Sequence, residues 1–234
     1  MIKFIKPFFF DFFNLFFPNN CHICDSGLLN GEDIICTDCL IKLPRTNYHL
    51  QIDNPISKMF YSMPEFKYAT AYFFFHKGSV FQEALHQLKY KGMERVGEEL
   101  GKLFGAEIVD SVFSEIDVII PVPLHRLKYK KRGFNQSEII AVGMSETMNR
   151  PLDIISVIRT VNTETQTKKN LEQRKENVSS IFHVKFPENL KNKHVLLIDD
   201  VVTTGSTLIS LAEEILKIEG VKISVAALAV AGEY

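Results

Sequence analysis

VLLIDDVVTTGSTL, Val195 to Leu208, is the stretch that decides the fold. Four apolar residues lead into Asp199 and Asp200, then two valines, and then Thr203, Thr204, Gly205, Ser206 and Thr207 before a new apolar run. The first run predicts a buried strand over Val195–Ile198. The second predicts a helix over Thr207–Glu219, with Leu208, Leu211, Ile215 and Ile218 facing inward. In a parallel α/β sheet, ligands sit beyond the carboxyl ends of strands, where Asp199 and Asp200 lie. The helix start just after them, at about Ser206 or Thr207, offers backbone N–H groups to an anion. Gly205 lets a ligand approach the backbone, and the surrounding hydroxyls add donors.

Adjacent carboxylates repel unless a cation or hydrogen-bond donor lies between them. Two vicinal sugar hydroxyls, with or without Mg²⁺, meet that need, so acid pair and phosphate turn together describe a ribose 5-phosphate. A plain helix cap explains one acidic residue but not two plus the hydroxyl run. A P-loop is excluded because no G-x-x-x-x-G-K-[ST] occurs.

Working outward, strands and helices alternate. Phe66–Phe75, Asp117–Val122, Ile154–Val161 and Val221–Val230 read as further strands, and Ser79–Tyr90, Val96–Val109 and Ser137–Met148 as helices. This alternation predicts a parallel sheet covered by helices. Pro44–Pro64 reads as a polar linker and Thr163–Asn177 as a mobile loop. With 234 residues, 46% of them apolar, the chain holds one α/β domain plus a smaller module. A net charge of −1 provides no global field for nucleic acid, so any such binding needs a local patch.

All four cysteines fall in CHICDSGLLNGEDIICTDC, as Cys21, Cys24, Cys36 and Cys39. The C-x2-C-x11-C-x2-C spacing suits two tight turns, helped by Gly27 and Gly31, that close a tetrahedral S₄ site for structural zinc. Two disulfides are the alternative, disfavoured in a reducing compartment without a secretory signal. Two redox C-x-x-C pairs explain the spacing less well than one metal. His22 is read as a neighbour of the site.

The N-terminal MIKFIKPFFFDFFNLFFP carries seven phenylalanines between Phe8 and Phe17, with Phe9, Phe12, Phe13 and Phe16 at helical spacing. A short helix packing its aromatic face on the protein is favoured over a membrane-surface helix, because basic residues are few. No apolar window is long enough to span a bilayer and no cleavage site follows, so a cytoplasmic protein without stable membrane insertion is expected.

The Asp-Asp and Thr-Thr-Gly-x-Thr series resembles the phosphoribosyl-pyrophosphate (PRPP) motif of type I phosphoribosyltransferases. More narrowly, the chain resembles the ComF family over nearly its full length. The resemblance rests on GEDIICTDCLIKLP, LKYKG at 88–92, PVPLHRLKYKKRGFNQSE at 121–138, R…T..Q…L..R..N between Arg159 and Asn177, and the PRPP motif. It implies an α/β type I phosphoribosyltransferase-like parallel sheet flanked by helices, residues 61–234, after residues 1–60, which hold the Phe-rich helix, a small N-terminal zinc-ribbon module and the linker.

Residue by residue, the resemblance puts a pyrophosphate-binding loop at Pro121–Phe134, with Arg132 and Gly133 as direct contacts and Lys89 as a second anion ligand. Lys89 reads equally well as an exposed helix-end lysine. The loop Thr163–Asn177 stands in the place of the family's flexible hood, with Arg174 bringing charge to the leaving group. Thr203 to Thr207 would hold the 5-phosphate of PRPP, Asp199 and Asp200 its hydroxyls, and Mg²⁺ its pyrophosphate and ribose oxygens. No base-recognition pocket is legible. Two functions therefore stand side by side: a phosphoribosyltransferase acting on a nitrogen acceptor, and a non-catalytic, PRPP-regulated handler of single-stranded DNA working with competence and DNA-uptake proteins. The second draws on the basic run His125–Arg132 with Tyr129 and Phe134 interleaved.

Overall fold

The computed structural model describes residues 19–75, 94–161 and 181–232. The Phe-rich segment, the Ser79–Tyr90 helix with Lys89, and the Thr163–Asn177 loop with Arg174 lie outside the described residues. Among the described ones the strands are β1 (Phe66–Phe75), β2 (Val118–Pro121), β3 (Val157–Arg159), β4 (Phe182–Val184), β5 (His194–Val202) and β6 (Lys222–Ala231). The α-helices are α1 (Thr37–Lys42), α2 (Pro55–Lys58), α3 (Glu94–Ile108), α4 (Arg126–Arg132), α5 (Gln136–Met148) and α6 (Ser206–Ile215).

The main sheet runs β1-β6-β5-β2, every neighbouring pair parallel. Val195 to Ile198 and Ser224 to Val230 are all buried, the continuous apolar signature of strands covered on both faces. Alternation along β5 divides the core. Leu196 and Ile198 join α3 and α5 on one side, while Val195 and Leu197 join α6 on the other. Glycines let α3 and α5 approach closely: a Cβ at Gly143 would lie 2.1 Å from the Glu98 carbonyl oxygen, and one at Gly101 2.2 Å from that of Ile140. No helix among the described residues is long and apolar enough to cross a membrane.

Two expectations are corrected. The strand read at Ile154–Val161 shrinks to β3, which pairs antiparallel with β4 outside the parallel sheet. Asp153 causes the change: its Oδ1 accepts from the N–H groups of Ile155 and Ser156 at 2.9 and 2.8 Å, turning the chain and leaving Ile154 and Ile155 exposed. The segment Pro44–Pro64 is a packed strap rather than a polar linker. Asn54, 1% exposed, caps α2 through its Oδ1 and donates from Nδ2 to the Ala69 carbonyl at 2.8 Å. Phe60 is fully buried and stacks on Phe66. Polar composition misled here because the polar groups of Asn54 are satisfied inside the protein.

The cysteine module is not a separate body. Cys21, Ile34, Ile35, Cys36, Cys39 and Leu43 share one buried cluster with Tyr72, Phe73 and the inner faces of α3 and α5. Arg45 lies over the Tyr72 ring, 4.1 Å from its centroid, and pairs with Glu107 of α3. A cation over an aromatic face and an ion pair thus tie the module to the sheet.

Candidate functional site

Asp199 and Asp200 sit near the carboxyl end of β5, and both are half-buried. Asp199 Oδ1 accepts from Ser137 Oγ at 3.0 Å and from the Asp200 N–H at 2.9 Å; Asp200 Oδ1 accepts from the Val201 N–H at 2.7 Å. Burial, and secondarily the charge of Asp200, hold the Asp199 carboxyl well above the usual carboxylate range. Ser137 belongs to α5, which packs against β5, so a contact across 62 residues of chain orients the acid. Arg159 on β3 is within electrostatic reach: burial lowers its pKa and the attraction of Asp199 opposes that shift. Two adjacent half-buried acids with a guanidinium in reach can accept hydrogen bonds from a diol or share a divalent cation.

The turn after β5 has the geometry for an anion. Gly205 is the N-cap of α6 at φ 71°, in the left-handed region, and no side chain caps the helix. The first helical N–H groups therefore have no intrahelical carbonyl partner, and the positive end of the helix dipole adds to them. Thr203, Thr204 and Ser206 are exposed around this end and Thr207 is half-buried. Thr204 Oγ1 donates to Ser206 Oγ at 3.3 Å. Behind the turn stands Met59, from the strap: a Cβ at Gly205 would lie 3.1 Å from its Sδ. Gly205→Ala is expected to cost about 1–2 kcal/mol of stability from the left-handed backbone alone. Its measurement is urea denaturation beside glycine and alanine reference proteins, and an unchanged midpoint would contradict the strain.

Pro121–Phe134, expected as a loop, contains α4. His125 Nδ1 accepts from the Leu127 N–H at 3.3 Å to cap its start, and Gly133 at φ 93° ends it with an N–H to the Tyr129 carbonyl at 2.7 Å. Lys130, Lys131 and Arg132 fall in the last turn, where the negative end of the dipole favours them. Glycine in the left-handed region and long straight-chain residues are helix signals that the basic run concealed. The Arg132 guanidinium donates to Gln136 Oε1 on α5. Asn135 Nδ2 donates to the Val122 carbonyl at 3.0 Å and fastens the α4–α5 junction to the end of β2.

From sequence Ser137 has no legible role, and Arg159 is legible only as the start of the R…T..Q…L..R..N series. Met59 carried no signal at all. A cleft of about 700 Å³ also opens between α4 and β3, and neither aspartate nor the 203–207 turn lines it.

The four cysteines meet. Their sulfur atoms all lie within 4.8 Å of one another and none is in a disulfide. Cys24 and Cys36 Sγ are 3.6 Å apart, near the ~3.8 Å edge of a tetrahedron built on zinc–sulfur bonds. Backbone N–H groups point at the sulfurs: Cys36 and Ile23 donate to Cys21 Sγ at 3.3 and 3.4 Å, and Cys39 to Cys36 Sγ at 3.4 Å. Such donors stabilise thiolates, and hydrogen bonds from Ser26 pull the exposed Cys24 thiol down to about 6. Burial pushes the Cys39 thiol up, as expected of a group whose proton a metal would displace. The set fits a closed S₄ zinc site with a structural role. Gly31, at φ 95°, supplies the turn between the pairs.

Residues 130–233 match the family model described as "Phosphoribosyl transferase domain". "DNA utilization protein YhgH" of Shigella flexneri is 28% identical over 201 residues, covering 84% of each chain. "Competence protein ComFC" of Bacillus subtilis is 27% identical over 193 residues, covering 80% of this chain and 68% of that one. A purine phosphoribosyltransferase from Pyrococcus horikoshii aligns at 24% identity over 58% of this chain and 75% of that chain, with a TM-score of 0.37. A phosphoribosyl transferase domain match behind a four-cysteine cluster, with similarity over most of the chain to proteins named for DNA utilization and competence, supports the resemblance to the ComF family.

Proposed function

We propose that the chain binds PRPP with Mg²⁺ and transfers its phosphoribosyl group to a nitrogen acceptor. The supporting observation is the acid pair at the end of β5, followed at once by the uncapped α6 turn. In this reading the turn from Thr203 to Thr207 holds the 5-phosphate, and Asp199 and Asp200 accept hydrogen bonds from the ribose hydroxyls. Ser137 keeps Asp199 aligned. Arg132 and Gly133, with Lys89, hold the pyrophosphate, and Arg174 adds positive charge there. Mg²⁺, when bound, would offset negative charge on the pyrophosphate and ribose oxygens. The bond from C1 to pyrophosphate breaks with its electron pair leaving on oxygen. The nitrogen lone pair forms the new bond at C1, and the nitrogen's proton passes to water. Positioning and electrostatics supply the catalysis, since no nucleophile of the chain takes part.

Residues 1–60 then form the zinc-binding unit and 61–234 the phosphoribosyl-handling unit, in a reducing cytoplasm that keeps four thiols available to zinc. Calorimetric titration with PRPP tests the reading. A saturable heat is expected with Mg²⁺ and a much smaller one with EDTA; no heat in either condition would end the proposal.

A second reading, single-stranded DNA handling regulated by PRPP, draws on α4. Its basic residues surround Tyr129, which is 45% exposed, and relatives are named for DNA utilization and competence. Stacking beside phosphate contacts is what a single strand requires. Oligothymidylate affinity is then expected to fall steeply with salt, and Lys130→Glu/Lys131→Glu to flatten that slope by about 1.4 through the loss of two phosphate contacts. A slope unchanged by the double substitution would remove α4 from the path of a strand.

A further inference from the structure

We propose that the cleft between α4 and β3 is a binding site for a free nucleoside monophosphate, separate from the PRPP site. Its volume, about 700 Å³, falls in the range of small-ligand pockets. The floor is apolar, made by Ile120, Pro121 and Val157. One wall is a single face of α4: Arg126, Tyr129 and Lys130 stand at i, i+3 and i+4, so all three look the same way. Arg159 and Lys185 stand on the wall contributed by β3 and the end of β4.

Four cations line this space against two carboxyls, and both carboxyls are restrained. Asp153 is occupied by Ser156 Oγ at 2.5 Å and by two backbone N–H groups. Glu138 has its pKa raised by burial. The field in the cleft is therefore positive. Beside it are apolar and aromatic surfaces that soluble proteins seldom leave open together: Tyr129 is 45%, Ile154 51% and Ile158 38% exposed.

That combination selects among anions. Inorganic phosphate has no use for the apolar floor, and an apolar peptide has none for four cations. PRPP would lack its acid partners, because neither Asp199 nor Asp200 lines the cleft. The proposed pyrophosphate contacts Arg132 and Gly133 are also absent from the lining. A planar ring on Tyr129 and the isoleucines, with its phosphate between Lys130, Arg159 and Lys185, satisfies every wall. Arg159 faces the cleft and also feels Asp199, so it is the physical link between this site and the acid pair.

The test is calorimetric titration of the zinc-loaded full chain with AMP. Saturable binding is expected in the wild type and, within about threefold, in Asp199→Asn/Asp200→Asn. Tyr129→Ala and Lys185→Glu should each weaken AMP at least tenfold. Both side chains are exposed, so these variants should fold, and both should keep PRPP affinity within about threefold. The proposal is overturned if AMP fails to bind, if the aspartate substitutions alone abolish it, or if Tyr129 and Lys185 are indifferent. It is also overturned if only oligothymidylate binds and AMP does not. AMP binding without PRPP binding would end the PRPP reading and leave the cleft assigned; the reverse would do the opposite.

Discussion

Substituting asparagine for both Asp199 and Asp200 is expected to abolish Mg²⁺-dependent PRPP binding while leaving the protein folded. Two charge-assisted hydrogen bonds to the diol are worth roughly 3–6 kcal/mol together, so affinity should fall a hundredfold or more. Stability should move the other way. Because burial and Asp200 raise the native pKa of Asp199, the folded state holds that proton more tightly than the unfolded chain does. Its contribution is present in acid, below the unfolded pKa, and is lost as pH rises through the native value. At neutral pH that stabilisation is missing from the empty protein, so Asp199→Asn should melt higher than wild type, with the gap closing in acid. Asparagine Oδ1 still accepts from Ser137, so the local geometry survives. A protein that loses PRPP and gains thermal stability at pH 7 matches a functional acid held against its preference. Unchanged PRPP heat in the double variant would remove both aspartates from the site.

The parts legible in the sequence were those where one physical rule acted alone. Apolar runs at Val195–Ile198 and Val221–Val230 have no partner but a doubly covered parallel sheet, and both are central strands. The C-x-x-C pairs needed only local turns, and the sulfurs converge. The start of α6 at Ser206 followed from Gly205 and the hydroxyls before an apolar stripe. What stayed hidden depended on long-range partners. Asn54 reads as a linker residue until β1 supplies the carbonyl of Ala69. Ser137 reads as an ordinary helix residue until β5 brings Asp199 to it. In α4, charge read as loop surface, although its capping histidine and closing glycine were already in the sequence. The cleft beside α4 was hidden too, because no spacing along the chain joins Tyr129 to Lys185.

Removal of zinc is expected to damage more than the N-terminal module. Elemental analysis should find one zinc per chain, and a strong chelator, or Cys39→Ser, should release it. Structural zinc contributes folding free energy directly, on the order of 10 kcal/mol in isolated zinc modules, although coupling to a larger core dilutes that figure. Here the coupling is direct. Cys21, Cys36 and Cys39 lie in the same buried cluster as Tyr72, Phe73, Phe104 and Met144, so splaying the thiols opens the face of the sheet that α3 and α5 cover. Arg45, which bridges from the module to Glu107 and Tyr72, would lose its anchor at the same time. Losing even about 4 kcal/mol in a domain of this size lowers the melting temperature by roughly 8–16 °C. Hydrogen exchange should show α1 and the amides of Cys36 and Cys39 losing protection first, and α3 next. The far side of the sheet, where α6 packs with Leu208, Leu211 and Ile215 buried, should keep its protection longest. Metal-free protein with an unchanged melting temperature would mean that the four thiols fold the module without an ion. Uniform loss of protection would mean that the two faces of the sheet unfold as one unit.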